Sequence, residues 1–208
     1  MPRVKRSPAK AFAGESAPAP QRRTSSPEPQ RRTGSPEPRL PAESPSARAA
    51  RVVLREHRPG DIGWVVSAHG ALYAQEYGFD ITFEVLVAEI AAQFLRKFDP
   101  AHERCWMAEI DGKTVGSVFL VRQSKAVAKL RLLVVDPAAR GCGVGKLLVA
   151  QCIEHARKLG YKKLVLWTQS CLLPARGIYV QAGFRLVRSE PHHSFGVDLV
   201  GEFWELEL

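Results

Sequence analysis

The 208-residue sequence lacks several features that would place it in other classes of protein. It has no run of 18 or more apolar residues that could cross a membrane as a helix, and its N-terminus has no apolar core for a secretory signal. The four cysteines, at 105, 142, 152 and 171, form no C-x-x-C pair and no Cys/His metal-binding spacing. We therefore expect free thiols, a cytoplasmic location, no metal site and no membrane partner.

The first fifty residues have almost no large apolar side chains, namely Val4, Phe12 and Leu40 besides Met1, yet they hold ten of the fifteen prolines. A segment of this composition cannot bury enough apolar surface to offset the entropy lost on ordering. We predict that residues 1–50 form a disordered, basic tail rich in Pro, Ser, Ala and Arg. Residues 51–208 should form one folded domain.

Positive charge is concentrated in the predicted tail. Residues 1–50 carry ten Lys and Arg against four Glu, a net charge of +6, whereas residues 51–208 carry twenty basic and seventeen acidic residues. This mildly basic domain does not resemble a nucleic-acid-binding domain. The tail repeats QRRTSSPEP (21–29) as QRRTGSPEP (30–38). The repeat is either a proline-extended spacer, which we favour, or an arm that binds a partner or contacts nucleic acid weakly.

The most informative stretch of the sequence runs from Lys129 to Thr168. An apolar run at 130–135 is followed by Asp136-Pro137, a glycine-rich segment at 140–146, an amphipathic segment to Leu159 and a second apolar run at 164–167. This pattern predicts a strand, a glycine-rich turn, a helix and a second strand. The two strands should be parallel, because a helix connects them.

The glycine-rich turn has the properties of an anion site. Gly141, Gly143 and Gly145 remove side chains from the start of a helix, where the first N–H groups have no internal partner and the helix dipole is positive. Arg140 and Lys146 add two cations, and phosphate is the usual ligand of such a site. The spacing is nevertheless not G-x-G-x-x-G, the dinucleotide pattern. The triphosphate-binding loop also fails, because residue 140 is Arg and residue 147 is Leu.

Two motifs together resemble the GNAT acetyltransferase superfamily: R-x-x-G-x-G at 140–145 and A-x-x-x-Y-x-x-x-G-F at 175–184. The resemblance covers residues 51–208, and within the superfamily it is similar to the acetyltransferase halves of MarR-GNAT fusion proteins. No DNA-binding domain of that kind is visible in the sequence. The resemblance implies an α/β (α+β) fold with a mixed, mostly antiparallel central sheet, helices on both faces and a β-α-β crossover that binds acetyl-CoA.

The resemblance also implies an N-acetyltransferase that transfers acetyl directly from acetyl-CoA, its co-substrate, to an amine on a small molecule or a protein. Tyr179 matches the tyrosine general acid of the superfamily, although a packed helix tyrosine is the alternative. The implied acetyl-CoA-binding residues are Leu133, Val134, Val135, Arg140, Gly141, Cys142, Gly143, Val144, Gly145 and Lys146. Leu172 departs from the family pattern, since the family often has Asn at this position. Gln169 or Ser170 could take over the role of that Asn.

Several questions stay open at this level. His192 and His193, in a predicted loop at 190–201, could act as the base, or a water molecule could relay the proton. Cys142 is either a reactive thiol at a helix N-terminus or simply a small residue. A non-catalytic acyl-CoA sensor and a nucleic-acid-associated protein acting through its tail are alternative functions. The oligomeric state could be monomer or homodimer.

The remaining elements follow from local patterns. We predict a strand at 51–54, a helix at 62–75, a second helix after the N-cap residue Asp80, and a hairpin turn at Asp111-Gly112. The two helices should form a wall of the acceptor site. Residues 76, 77, 79 and 83 there (Glu, Tyr, Phe and Phe) would contact either the substrate or the core. Strands at 184–189 and 202–208 should close the sheet.

Overall fold

The structure is a computed structural model that describes residues 51–208; the predicted disordered tail, residues 1–50, lies outside the described residues. Its elements, in chain order, are β1 (Val53–Glu56), α1 (Asp61–Tyr77), α2 (Ile81–Lys97), β2 (Arg104–Ile110), β3 (Lys113–Arg122), β4 (Val127–Val135), a 3-10 turn (Pro137–Ala139), α3 (Val144–Lys158), β5 (Lys163–Gln169), α4 (Leu173–Gln181), β6 (Arg185–Ser194) and β7 (Val197–Glu207). In residues 51–208, no helix is both long and apolar enough to cross a membrane.

All seven strands belong to one sheet with the order β1-β2-β3-β4-β5-β7-β6. Strands β4 and β5 are parallel and are connected through α3, whereas every other neighbouring pair is antiparallel. This arrangement confirms the predicted mixed, mostly antiparallel sheet with a β-α-β crossover.

Successive residues of a strand point to opposite faces of the sheet, and an apolar cluster covers each face. In β2, Cys105 and Met107 belong to the apolar cluster that includes Val65 of α1 and Phe94 of α2. Trp106 and Ala108 instead join the larger cluster around α3. Helices α1 and α2 therefore pack on one face and α3 on the other.

Strands β4 and β5 separate along their length. They pair only at Val127–Lys129 and Lys163–Val165, so the second halves of the two strands do not pair with each other. In the same half of β4, Leu132 has a φ of 48°, and the register with β3 shifts by one extra residue. The buried Ser117 hydroxyl donates a hydrogen bond to the Leu132 carbonyl (3.1 Å) and so stabilises this bulge.

The prediction of a loop at 190–201 is wrong. Strands β6 and β7 continue pairing to Ser194 and Val197, and only Phe195-Gly196 form the turn, both with positive φ. Strand β6 lies at the sheet edge with most of its side chains exposed, so it lacks the alternation of apolar residues that would predict a strand. Pro191 is compatible with this position because an edge strand can tolerate a missing N–H donor.

The tip of the β6–β7 hairpin contacts the junction of α1 and α2. The Asp80 N–H donates to the Phe195 carbonyl (2.9 Å), and the Phe195 ring lies 5.3 Å from Phe79 and 5.1 Å from Phe83, centroid to centroid. Asp80 is also the N-cap of α2, as predicted, and accepts a hydrogen bond from the Thr82 N–H. The hairpin and the two helices thereby enclose the space beside β4.

Candidate active site

The glycines of the loop before α3 meet two different requirements. Gly141 and Gly143 have φ values of 79° and 78°, which residues with side chains rarely adopt, and apart from the adjacent residues no atom lies within 4 Å of where their Cβ would be. Gly145 has an ordinary helical conformation, but an added Cβ would lie 2.7 Å from Ile178 Cδ1 of α4. The first two glycines therefore allow the turn, and the third allows α3 and α4 to pack closely.

Several backbone N–H groups at this turn have no acceptor among the described residues. They belong to Gly141, Gly143, Val144, Gly145 and Lys146, whereas the Leu147 N–H donates to the Gly143 carbonyl (3.0 Å) as the first bond of the helix. Unpaired N–H groups at the start of a 15-residue helix form a site of partial positive charge. This arrangement can bind a phosphate or diphosphate.

Cys142 differs from its neighbours in the loop. Its N–H donates to the Ala139 carbonyl (3.4 Å), and its side chain is 4% exposed within the α3 core cluster. The residue therefore points away from the anion site. A reactive thiol facing a ligand does not fit this position.

The two predicted cations of the loop differ in their partners. Arg140 pairs with Glu76 at the end of α1, with Nη1–Oε1 at 2.8 Å and Nη2–Oε2 at 3.0 Å. The hydrogen bonds to Glu76 raise the pKa of Arg140 further above its usual value. Lys146 is exposed and forms no ion pair in the part of the chain that the structure describes. Lys146 is therefore the cation that an incoming anion meets without competition.

A cavity of about 530 Å³ lies between this loop, the splayed end of β4 and α4. It is lined by nine of the ten residues predicted to bind acetyl-CoA, all except Cys142: Leu133, Val134, Val135, Arg140, Gly141, Gly143, Val144, Gly145 and Lys146. Most of the rest of its lining is apolar, from α1 and α4. We call this space the donor cavity.

A second cavity, of about 800 Å³, lies on the side of β4 that faces α1 and α2. Its lining combines aromatic rings with a few polar groups, and it shares Tyr73, Leu133, Leu172 and Ala175 with the donor cavity. The two spaces therefore adjoin at the point where β4 and β5 separate. We call the larger one the acceptor cavity.

Tyr179 of α4 lines the acceptor cavity and is 4% exposed. Its ring packs against Phe184 and Trp204, with centroids 5.7 and 6.4 Å away, so it is also part of the core. Burial is the main cause that raises the pKa of Tyr179 well above its usual value. The phenol is therefore protonated over the whole physiological range and cannot act as a base.

The predicted histidines fall into different environments. His192 lines the acceptor cavity, and its ring nitrogens contact Gln169 Oε1 (3.1 Å) and Ser194 Oγ (2.9 Å). His193 is exposed and pairs with Asp198, outside both cavities. Asp136 is also outside the site, because it ends β4 and accepts a hydrogen bond from the Ala138 N–H.

His69 is a site residue that the sequence analysis missed. It lines the acceptor cavity from α1, stacks on Tyr73 (5.7 Å between centroids), and uses Nδ1 to bond the Val65 carbonyl (2.8 Å). Burial lowers its pKa to about 4, so the ring is neutral, with Nδ1 as donor and Nε2 as acceptor. The spacing of four residues between His69 and Tyr73, which puts both on one helix face, was the available signal.

The predicted acceptor wall is present only in part. Phe79 and Phe83 line the acceptor cavity, Tyr77 lines the donor cavity, and Glu76 is paired with Arg140. The two phenylalanines also belong to a cluster of aromatic rings in which Phe83 stacks on Tyr73 and meets Phe79 edge to face, so they serve both the core and the cavity. In residues 51–208, no group of three or more His, Cys, Asp and Glu side chains could hold a metal ion.

The model of the acetyltransferase (GNAT) family matches residues 71–184, more than half of the chain. A Schizosaccharomyces pombe protein named as an N-acetyltransferase is 34% identical over 123 residues, covering 58% of this chain and 74% of its own. Human N-acetyltransferase 8B is 32% identical over 111 residues, and the match spans 51% of this chain and about half (48%) of the human protein.

Solved structures give the same result for the fold. A Salmonella typhimurium protein described as an acetyltransferase, with its cofactor acetyl-CoA, superposes with a TM-score of 0.63 at 17% identity. The superposition covers 76% of this chain and 94% of that one. The family match, the relatives and the β-α-β crossover agree, and this chain belongs to the GNAT family of acetyltransferases.

Proposed function

We propose that this protein transfers acetyl directly from acetyl-CoA to an amine on a small molecule or a protein. One observation carries the proposal: a donor cavity edged by five unpaired N–H groups opens into an acceptor cavity lined by Tyr179. Direct transfer needs both substrates to meet in this way, because no enzyme nucleophile takes part.

The diphosphate of acetyl-CoA would bind the N–H groups of Gly141 and Gly143–Lys146. Lys146 would add an ion pair, and Arg140 would join it if the ligand replaced Glu76. The pantetheine arm would lie along Leu133–Val135, where β4 has no pairing with β5. An N–H of the same strand would then polarise the thioester carbonyl.

In the chemical step, the neutral amine nitrogen attacks the thioester carbon and the C–S bond breaks. Tyr179, which its raised pKa keeps protonated, donates its hydroxyl proton to the departing thiolate and afterwards regains a proton from solvent. The amine proton passes to solvent. His69 Nε2 accepts a hydrogen bond from the amine and orients it, since a histidine with a pKa of about 4 is a weak base.

The proposal extends to properties outside the site. We infer a cytoplasmic protein that acts as a monomer or homodimer, with a similarity to the acetyltransferase halves of MarR-GNAT fusions. The basic segment 1–50 would at most add weak, salt-dependent binding to nucleic acid.

The test combines acetyl-CoA binding by calorimetry with thiol release in the presence of a panel of amines. Gly143→Ala should weaken acetyl-CoA binding about tenfold or more, because a side chain at a φ of 78° costs roughly 1–2 kcal/mol and distorts the loop. Gly112→Ala is the matched control, since Gly112 has a φ of 73° and open space but lies in the β2–β3 turn.

Binding of acetyl-CoA without turnover of any amine would instead support the non-catalytic sensor. Equal binding by the wild-type protein and Gly143→Ala would remove the loop from the donor site and overturn the assignment.

A further inference from the structure

Two cations of β4 line the acceptor cavity. Lys129 is the last residue of β4 that pairs with β5, and Arg131 lies two residues further along the strand. Both side chains are partly buried. We propose that they bind an anionic group of the acceptor, so that the substrate is a small amine that also carries a carboxylate or phosphate. This inference rests on the proposed function.

Neither cation has an acidic partner. Within residues 51–208, no hydrogen bond or ion pair joins either side chain to a carboxylate, and no carboxylate contributes to the electrostatics of either group. Burial lowers the pKa of both side chains, and for Lys129 the charge of Arg131 lowers it further. Keeping two such charges near each other is unfavourable unless a ligand supplies the opposite charge.

The charge balance of the cavity favours an anion. Its lining has one carboxylate, Glu190, against the two cations, and Glu190 is already paired with Arg188. The neighbouring carboxylate of Glu202 is occupied by Arg176 and Trp204. A polycationic acceptor would therefore meet uncompensated positive charge, whereas an anion would relieve it.

The rest of the lining defines the other parts of the ligand. Rings of Phe79, Phe83, Trp167 and Phe203 offer contacts to an apolar or aromatic body. The Arg131 guanidinium can hold a carboxylate or phosphate through two parallel hydrogen bonds. These groups fit a compact molecule that carries an amine and an anion, with the anion held on β4 and any apolar part of the molecule against the rings.

The experiment uses pairs of amines that differ only in the anionic group, with the full-length protein and saturating acetyl-CoA. The carboxylate pairs are phenylalanine against 2-phenylethylamine and leucine against 3-methylbutylamine. The phosphate pair is phosphoethanolamine against ethanolamine, and spermidine represents polycations. Thiol release gives kcat/KM for each, and the carboxylate and phosphate arms identify which anion is recognised.

Arg131→Gln tests the assigned residue, and Lys125→Gln is the control, because Lys125 is an exposed lysine in the β3–β4 turn. We expect an anionic amine to be the best acceptor. Arg131→Gln should lower its kcat/KM about 10- to 100-fold and change that of the uncharged partner less than about twofold. Arg131→Lys should recover part of the loss, and Lys125→Gln should have no effect.

A preference of the wild-type protein for spermidine or for the uncharged partners would overturn the inference, as would an equal effect of Arg131→Gln on both members of a pair. If no probe is acetylated, calorimetry with coenzyme A present decides: binding of an anionic probe that Arg131→Gln abolishes supports the inference, and no binding overturns it. In either case retained acetyl-CoA binding leaves the donor part of the proposed function standing. Loss of acetyl-CoA binding itself would remove both.

Discussion

The Arg140 guanidinium and the Glu76 carboxylate form a two-point ion pair, with N–O distances of 2.8 and 3.0 Å. The pair joins the last turn of α1, a wall of the acceptor cavity, to the loop that edges the donor cavity. If the diphosphate binds at this loop as proposed, it competes with Glu76 for Arg140. Such competition would link cofactor binding to the position of α1.

Glu76→Gln should tighten acetyl-CoA binding about two- to fivefold, because it frees Arg140 from a partly exposed ion pair worth up to about 1 kcal/mol. Arg140→Gln should weaken binding instead. Calorimetric titration of both variants and of the double variant measures the coupling between the two residues. If Glu76→Gln weakens binding as much as Arg140→Gln does, the pair orders the loop and does not compete with the ligand.

Gly145→Ala should destabilise the protein by about 1–3 kcal/mol, since its Cβ would lie 2.7 Å from Ile178 Cδ1. Adding Ile178→Val removes that methyl group and should recover part of the loss, despite its own cost of about 1 kcal/mol. Urea denaturation of the single and double variants tests the packing. Strictly additive effects of the two substitutions would show that the contact does not set the requirement for glycine.

Tyr179→Phe should lower kcat by about 10²- to 10⁴-fold, the range for a general acid, while acetyl-CoA affinity changes little. The substitution keeps the ring that packs against Phe184 and Trp204. Tyr161→Phe is the control: it removes a hydroxyl that donates to the His102 carbonyl (3.0 Å), outside both cavities, and should affect stability alone. An unchanged kcat in Tyr179→Phe would leave this tyrosine a packing residue.

His69 should make the protein less stable in acid. Its pKa in the folded state, about 4, is below the usual 6.5, so the unfolded chain binds the proton more readily. The stability contributed by this group is present above pH 6.5 and is lost as the pH falls toward 4. Between pH 7.5 and 4.5 the loss should reach about 2.5 kcal/mol.

Denaturation curves of His69→Gln at the two pH values should show a smaller difference than those of the wild-type protein. His193→Gln is the control, because His193 is exposed. The same pH dependence in His69→Gln and the wild-type protein would assign the effect to other groups.

The regular parts of the fold were predictable wherever a local pattern had one interpretation. The crossover from 127 to 169, the Asp111-Gly112 turn and the Asp80 N-cap are confirmed, because glycine conformation, capping and apolar periodicity act over a few residues. Strand β6 was missed beyond Ser189, since an exposed edge strand needs no apolar alternation. The roles of residues within the site stay predictions.

The lining of the donor cavity was predictable from the sequence, and that of the acceptor cavity much less so. The loop motif contains its unpaired N–H groups within six consecutive residues, so spacing alone could indicate an anion site. The acceptor cavity combines α1, α2, β4, β5 and the β6–β7 hairpin, and nothing in the sequence places His69 and Tyr73 beside Lys129 and Arg131, or either pair beside Trp167. Gly145 shows the same limit, because Ile178, the residue that leaves no room for a side chain at position 145, lies on another helix.

By itself the sequence determined the glycine turn, the helix that follows it and the strand on each side, because backbone conformation and helix polarity depend on neighbours in the chain. Only the tertiary structure decided that β4 and β5 separate, that Glu76 occupies Arg140, and that two unpaired cations face the acceptor cavity. The physical reason is that burial and charge pairing depend on distances in space. Residues far apart in the chain set those distances only once the sheet has formed.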